Sequence, residues 1–242
     1  MWRIVLLWIA AAGALTGQDW AKARVEKSPR RHEQVAIQHA GRAIATFIVY
    51  PDAKDKKPVV ILIHDSAGLT DWFRSFADQI AAMGYVALAP DLMPAGNQVM
   101  PDLNAVADYG VKLPTSNGTL FVAGIGWGGQ VSFRFAAERA DVAAALVFCG
   151  ASPDKDSIAR IKGSVFGFYA ANDPRVDATV PPAQAAAKSA DVVFEAVTYE
   201  GVGPGFLESG DAPDAKPGDK LVRGYALERM KSVLDMVSLR GY

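Results

Sequence analysis

The stretch Gly124-Ile125-Gly126-Trp127-Gly128 decides the fold, because it has the spacing of a nucleophile elbow. In the G-x-S-x-G pattern, the middle residue lies on a sharp turn between a strand and a helix, and its side chain attacks the substrate. The middle residue here is Gly126, which has no side chain. The stretch therefore predicts the strand-turn-helix geometry without its nucleophile.

Short apolar runs on both sides of this stretch predict a parallel sheet. Helical patterns separate most of these runs, which are residues 59–64, 85–89, 119–123, 144–149, 165–169 and 192–197. Strands that are apolar on both faces and alternate with helices are typical of a parallel sheet covered by helices on both faces. Two further strands, 34–38 and 43–50, are predicted to form an N-terminal hairpin.

Local signals mark the ends of the predicted helices. Thr70 or Asp71 is expected to cap a helix that ends near Met83, where Gly84 supplies a left-handed position. Three more helices are expected at residues 128–139, 182–188 and 221–239. Residues 208–219, which are rich in Gly, Pro and Asp, are predicted to form a surface loop.

The composition indicates one globular domain. The chain has 242 residues, half of them hydrophobic, and a formal net charge of −1. Folds of this class and size are commonly single domains. Basic residues gather only at 30–31 and 54–57, so we expect no binding of nucleic acid. No pattern of metal ligands is present, and we expect neither a metal nor a cofactor.

Residues 1–23 have the plan of a secretory signal. Charged residue Arg3 precedes the apolar run 4–15, and small residues follow. Ala21-x-Ala23 is the expected cleavage site, with Ala12-x-Ala14 as the alternative. The other interpretation of the apolar run is that it forms an apolar first helix of the mature domain. We therefore expect residues 24–242 to form one soluble domain that is exported to the periplasm or secreted, with no membrane span after signal removal. The oligomeric state is left open.

The only cysteine, Cys149, ends an apolar run that is predicted to be a buried strand. A single cysteine forms no disulfide within the chain. We therefore interpret Cys149 as a structural thiol.

In open parallel sheets, the ligand site lies beyond the carboxyl ends of the strands. This rule selects the loops at 64–68, 91–97, 124–128, 171–175 and 201–206. Read in order, these loops resemble the dienelactone hydrolase family, in particular its exported bacterial members. The similar stretches are VILIHD at 60–65, GLTDW at 68–72, GYVALAPDL at 84–92, GIGWGG at 124–129, GFY at 167–169, NDPRV at 172–176 and YEGVGPGF at 199–206.

The resemblance implies an α/β-hydrolase fold and a Cys, Asp, His triad that opens lactones or esters without a cofactor. The position of the family's cysteine falls on Gly126, and that of its histidine falls on Pro204. Asp173 is the retained acid, which without the histidine is expected to cap its own loop. The resemblance also implies oxyanion-binding amides at Ser66, which follows Asp65, and at Trp127.

Two hypotheses about function follow. The first is a catalytically inactive member of the family that binds a small carbonyl-containing or anionic ligand, or a partner. Where some members bind a substrate carboxylate with arginines, this chain has Ala95 and Glu208, which argues against an anionic lactone. The alternative is an active ester or lactone hydrolase, similar to carboxymethylenebutenolidase, in which His64 or Asp65 positions a water molecule. A structural role is the favoured interpretation of His64.

Overall fold

The centre of the molecule is a mostly parallel sheet of eight strands. The computed structural model describes residues 18–240, so residues 1–17 of the predicted signal lie outside the described part. The strands are β1 (His32–His39), β2 (Arg42–Val49), β3 (Lys57–Ile63), β4 (Val86–Pro90), β5 (Ser116–Ile125), β6 (Val142–Phe148), β7 (Ser164–Ala170) and β8 (Phe194–Tyr199). Their order across the sheet is β1-β2-β4-β3-β5-β6-β7-β8.

The first two strands form the predicted hairpin. Ala40 and Gly41 join them with positive φ values of 47° and 76°, as the tight turns that connect twisted antiparallel strands require. β2 also pairs antiparallel with β4, and every later pair in the sheet is parallel. The carboxyl ends of β3 to β8 therefore meet at one edge.

Helices cover both faces of the sheet. They are α1 (Asp19–Glu26), α2 (Asp71–Ala82), α3 (Val99–Val111), α4 (Trp127–Glu138), α5 (Lys155–Ile158), α6 (Pro174–Asp177), α7 (Val180–Ser189), α8 (Phe206–Ser209) and α9 (Pro217–Arg240), and a 3₁₀ segment spans Met93–Gln98. The core on one face contains residues of α1, α2 and α9, and that on the other contains residues of α3, α4 and α7. The predicted α/β-hydrolase fold is confirmed.

Within residues 18–240, none of the helices combines the length and the apolar composition that crossing a bilayer requires.

Of the helices with eight or more residues, α1 and α3 were not predicted. α3 contains Pro101 and Gly110, which usually interrupt helices. Pro101 lies in the first turn of α3, where a missing N–H is harmless. Gly110 packs against the side chains of Leu88 and Val59, which leave little room for a Cβ.

Residues 19–23 of α1 were assigned to the signal, and in this structure Ala21 is completely buried in the core beside α2. Residues 18–23 are thus part of the folded domain in this structure. The predicted loop 208–219 is wrong at its ends, because Glu208 lies in α8 and Pro217 begins α9. Phe206 and Leu207 of α8 are buried in the core, and proline is favoured at the first position of a helix, where Pro217 lies.

Candidate active site

The elbow turn is present at the end of β5. The strand ends at Ile125, Gly126 makes the turn, and α4 begins at Trp127. Gly126 has φ +57° and ψ −114°, and its amide donates a hydrogen bond to the Phe148 carbonyl at 2.8 Å. A residue with a Cβ in such a conformation is strained by about 1–3 kcal/mol, whereas glycine adopts it freely.

The neighbouring glycines of the elbow are needed for close packing. A Cβ on Gly124 would overlap the backbone of Gly128, and a Cβ on Gly128 would overlap the carbonyl oxygen of His64. A Cβ on Gly126 would instead have the Asp65 Cβ as its nearest neighbour, at 3.7 Å. There is room for a side chain at the nucleophile position, and the sequence places none there.

Two backbone amides near the turn are available to a ligand. Trp127 is the first residue of α4, where the N–H groups have no partner within the helix. Ser66 lies in the loop that follows β3. Of the described residues, none accepts a hydrogen bond from either amide. The positive end of the α4 dipole adds to their attraction for an oxygen atom.

His64 is completely buried at the end of β3. Its Nε2 lies 2.9 Å from the backbone nitrogen of Leu92, and its Nδ1 lies 2.7 Å from the carbonyl oxygen of Asp65. Because the Leu92 amide only donates, Nε2 is the acceptor and Nδ1–H donates to the carbonyl. The ring also stacks on Trp127, with 5.8 Å between the ring centroids. His64 therefore connects the loops after β3 and β4 and has no free nitrogen with which to activate water.

Asp173 caps α6 by accepting a hydrogen bond from the Val176 amide at 3.4 Å. The charge of Asp173 acts on Cys149, which is buried. Burial raises the pKa of the Cys149 thiol to about 12, and the charge of Asp173 adds to the shift. A thiol with this pKa is not nucleophilic at neutral pH.

A cavity of about 200 Å³ lies over the elbow. It brings together the predicted positions Asp65, Ser66, Gly126, Trp127 and Pro204, whereas Asp173 is not among the residues that line it. The wall is completed by Trp72, Ile125, Gly205, Leu207 and Glu208. The residues that line the cavity thus include the two with free amides, Ser66 and Trp127, and two acidic residues, Asp65 and Glu208.

Glu208, which the sequence placed only where some family members have a substrate-binding arginine, lies in the wall of the cavity. The Gln18 Nε2 donates a hydrogen bond to Glu208 Oε1 at 2.6 Å. The Gln18 Oε1 in turn accepts one from the Trp72 amide at 2.9 Å, which fixes the orientation of the Gln18 amide. Burial raises the pKa of Glu208, the bond from Gln18 opposes the shift, and the nearby charges of Asp65 and Asp211 add to it.

Asp211 holds the segment that carries Glu208. Its carboxylate, only 7% exposed, pairs with Arg24 at 2.8 Å and with Arg223 at 3.0 Å. It also accepts a hydrogen bond from the Trp72 indole nitrogen at 3.0 Å. These contacts connect α1, α2 and α9 to the residues after α8. The position of Glu208 therefore depends on the N-terminal helix.

The chain is similar in sequence to one family of hydrolases. The model of the dienelactone hydrolase family matches residues 44–97 and 93–238. A predicted carboxymethylenebutenolidase from Salmonella typhi is 24% identical over 205 residues, which cover 71% of this chain and 76% of that protein. One from Saccharolobus solfataricus is 24% identical over 261 residues, which cover 85% of this chain and 99% of that protein.

Solved structures have the same fold. A predicted dienelactone hydrolase from Klebsiella pneumoniae superposes with a TM-score of 0.76 at 21% identity, over 86% of this chain and 99% of that one. The dienelactone hydrolase-like promiscuous phosphotriesterase P91, from metagenomic libraries, superposes with a TM-score of 0.76 at 18% identity, over 86% and 98% of the two chains. Because the two matches of the family model together span most of the 242 residues of this chain, the chain belongs to the dienelactone hydrolase family.

Proposed function

We propose that the chain binds a small carbonyl compound in the cavity over the elbow and does not carry out covalent hydrolysis. The observation that carries this proposal is Gly126, which makes the turn and offers no attacking atom. Pro204, at the position of the family's histidine, offers no titratable nitrogen. In a serine hydrolase, losing the nucleophile or the base costs on the order of 10⁶ in turnover. The remaining scaffold is therefore a poor catalyst of hydrolysis and a good site for binding.

A neutral carbonyl compound fits the polar groups of the cavity better than an anion. The amides of Ser66 and Trp127 are suitable donors for a carbonyl oxygen. An anion would also be attracted by the start of α4. However, an anion would lie beside the carboxylates of Asp65 and Glu208. Contact between like charges weakens the free energy of binding by several kcal/mol.

A second candidate function is hydrolysis of an ester or lactone by a water molecule. This candidate is favoured by the relatives, which are described as carboxymethylenebutenolidases. Asp65 would be the base, since both nitrogens of His64 are occupied. Ser66 is a weaker candidate for attack, because it is exposed and, of the described residues, no histidine or carboxylate bonds to its hydroxyl.

Hydrolysis of p-nitrophenyl acetate and of a dienelactone separates the two candidates. If Asp65 activates water, the wild-type protein turns these compounds over, and Asp65→Asn slows it by about 10²-fold or more. The binding proposal expects wild-type rates equal to those of Asp65→Asn and to the buffer.

Thermal shift tests the binding itself. Neutral ketones and lactones are expected to stabilise the protein more than carboxylates of equal size. A ligand at 100 times its Kd adds about 2.7 kcal/mol to the free energy of unfolding. If no carbonyl compound raises the midpoint, the binding proposal is wrong.

We also propose that the chain is exported to the periplasm or secreted. The support is the charged, apolar and small-residue plan of residues 1–23. Fractionation of cells that produce the full chain checks this proposal. Recovery of all of the protein from the cytoplasm in its full-length form would contradict it.

A further inference from the structure

Glu208 is fixed at the wall of the cavity by two hydrogen bonds in series. The Gln18 side chain accepts from the Trp72 amide and donates to Glu208 Oε1, at 2.9 Å and 2.6 Å. If the Gln18 amide turned over, both bonds would be lost, so it presents a donor to Glu208. One carboxylate oxygen is thereby fixed. Of the described residues, none donates a hydrogen bond to the other oxygen, Oε2.

The same cavity has donors for an oxyanion and no nucleophile. Of the described residues, none accepts a hydrogen bond from the amides of Ser66 and Trp127, and Gly126 lines the cavity without a side chain. A carboxylate base and oxyanion donors suffice to remove a proton from the carbon next to a carbonyl group, because no bond to the protein has to form. This is a different reaction from hydrolysis.

We propose that Glu208 is a general base that removes an α-proton from the bound carbonyl compound, so that the site catalyses enolisation. The proposal rests on the binding of a carbonyl compound proposed above, and it adds a reaction to that binding. Glu208 is then a catalytic residue, and Gln18 is a positioning residue.

The step is balanced without any further reactant. The C–H bond next to the carbonyl breaks, and its proton passes to Glu208. The electron pair of that bond forms the carbon–carbon double bond of an enolate, whose oxygen accepts hydrogen bonds from the Ser66 and Trp127 amides. Glu208 then returns the proton to the same carbon, or to a conjugated one, and nothing is oxidised or reduced.

The surroundings of Glu208 favour this role. Burial raises the pKa of Glu208, and the carboxylates of Asp65 and Asp211 add to the shift. Arg24 and Arg223 face the same region, but both are paired with Asp211. A base of higher pKa removes a proton from carbon more readily once it is ionised. The rate is therefore expected to rise with pH, with a midpoint above the ordinary value for glutamate, and then to level off.

A suitable probe is α-angelica lactone, a neutral five-membered enol lactone with an acidic CH₂ beside its carbonyl. Removal of an α-proton gives a conjugated enolate, and reprotonation at the far carbon gives β-angelica lactone. Hydrolysis would give levulinate instead. Proton NMR in D₂O distinguishes the two products and also detects deuterium at the α-carbon.

We expect the purified exported chain, which keeps Gln18 after cleavage at Ala14, to incorporate deuterium and to form the β isomer faster than the buffer does. Glu208→Gln is expected to slow both by about 10² to 10⁴-fold, while saturation-transfer NMR still detects bound lactone. The matched control is Glu228→Gln, which changes an exposed glutamate of α9 outside the cavity and is expected to leave the rates unchanged.

Gln18→Leu tests the positioning role. It removes the hydrogen bond that stabilises the ionised form of Glu208, so the midpoint of the pH profile is expected to move upward. A residue that only supported the fold would change stability and leave this midpoint where it was. An unchanged midpoint overturns the role of Gln18.

Each result decides the proposal. Bound lactone with wild-type exchange no faster than that of Glu208→Gln overturns the enolisation and leaves the binding function intact. No bound lactone overturns both. Levulinate that forms faster than in the buffer, without deuterium exchange, overturns the enolisation and the absence of hydrolysis that the proposed function states. If Glu208→Gln is unfolded by circular dichroism, Glu208→Asp replaces it, and its shorter side chain is expected to slow exchange while keeping the pH dependence.

Discussion

Single alanine substitutions of the elbow glycines test the geometry on which the functional argument rests. A Cβ on Gly126 has its nearest neighbour at 3.7 Å, so the only penalty of Gly126→Ala is the strain of φ +57°. This strain is about 1–3 kcal/mol. A Cβ on Gly128 would overlap the carbonyl oxygens of Ile63 and His64, so α4 has to move away from β3. We expect Gly128→Ala to lose more than about 4 kcal/mol.

The assay is urea unfolding followed by far-ultraviolet circular dichroism. With a slope of about 3 kcal/mol per molar urea, Gly126→Ala is expected to lower the midpoint by roughly 0.3–1 M. Gly128→Ala is expected to yield little folded protein. If both variants lost the same stability, Gly126 would not be the open position of the turn, and our account of the elbow would be refuted.

Three more predictions concern other parts of the chain. Arg42 lies 2.9 Å from the carboxylate of Asp102, which is 1% exposed. Arg42→Met is therefore expected to lower the free energy of unfolding, measured by urea titration, by about 3 kcal/mol, because it leaves a buried carboxylate without its partner. The double variant Arg42→Met/Asp102→Leu is expected to regain most of the lost stability. Because its pKa is raised to about 12, Cys149 is expected to resist iodoacetamide at pH 8 until the protein is unfolded, as mass spectrometry will show. Mass spectrometry of the exported protein is expected to find cleavage after Ala14, because cleavage after Ala23 would remove buried contacts of α1; a chain that starts at residue 24 would contradict this.

The parallel sheet and the elbow were predictable because their signals are local. Each buried strand is a short apolar run, and the Gly124–Gly128 spacing marks the turn within five residues. The cap at Thr70 is likewise local, and its side chain does accept a hydrogen bond from the Phe73 amide.

The position of the Glu208 carboxylate was only partly predictable in this way, because the sequence placed Glu208 near the site and gave no sign of its contact with Gln18. Gln18 and Glu208 are separated by 190 positions in the chain, and nothing in either segment indicates the other. The composition around Glu208 is typical of a loop, and the segment before Ala21 is typical of a signal. Only the packing of α1 against α2 brings Gln18 to the site.

The most direct test of the central claim compares the wild-type protein with Gly126→Cys/Pro204→His in hydrolysis of p-nitrophenyl acetate. We expect the wild-type rate to equal the buffer rate, since no attacking atom lies at the turn. The double variant is expected to gain turnover that iodoacetamide abolishes. Wild-type turnover as fast as that of the double variant would contradict the claim that Gly126 and Pro204 remove the family's reaction.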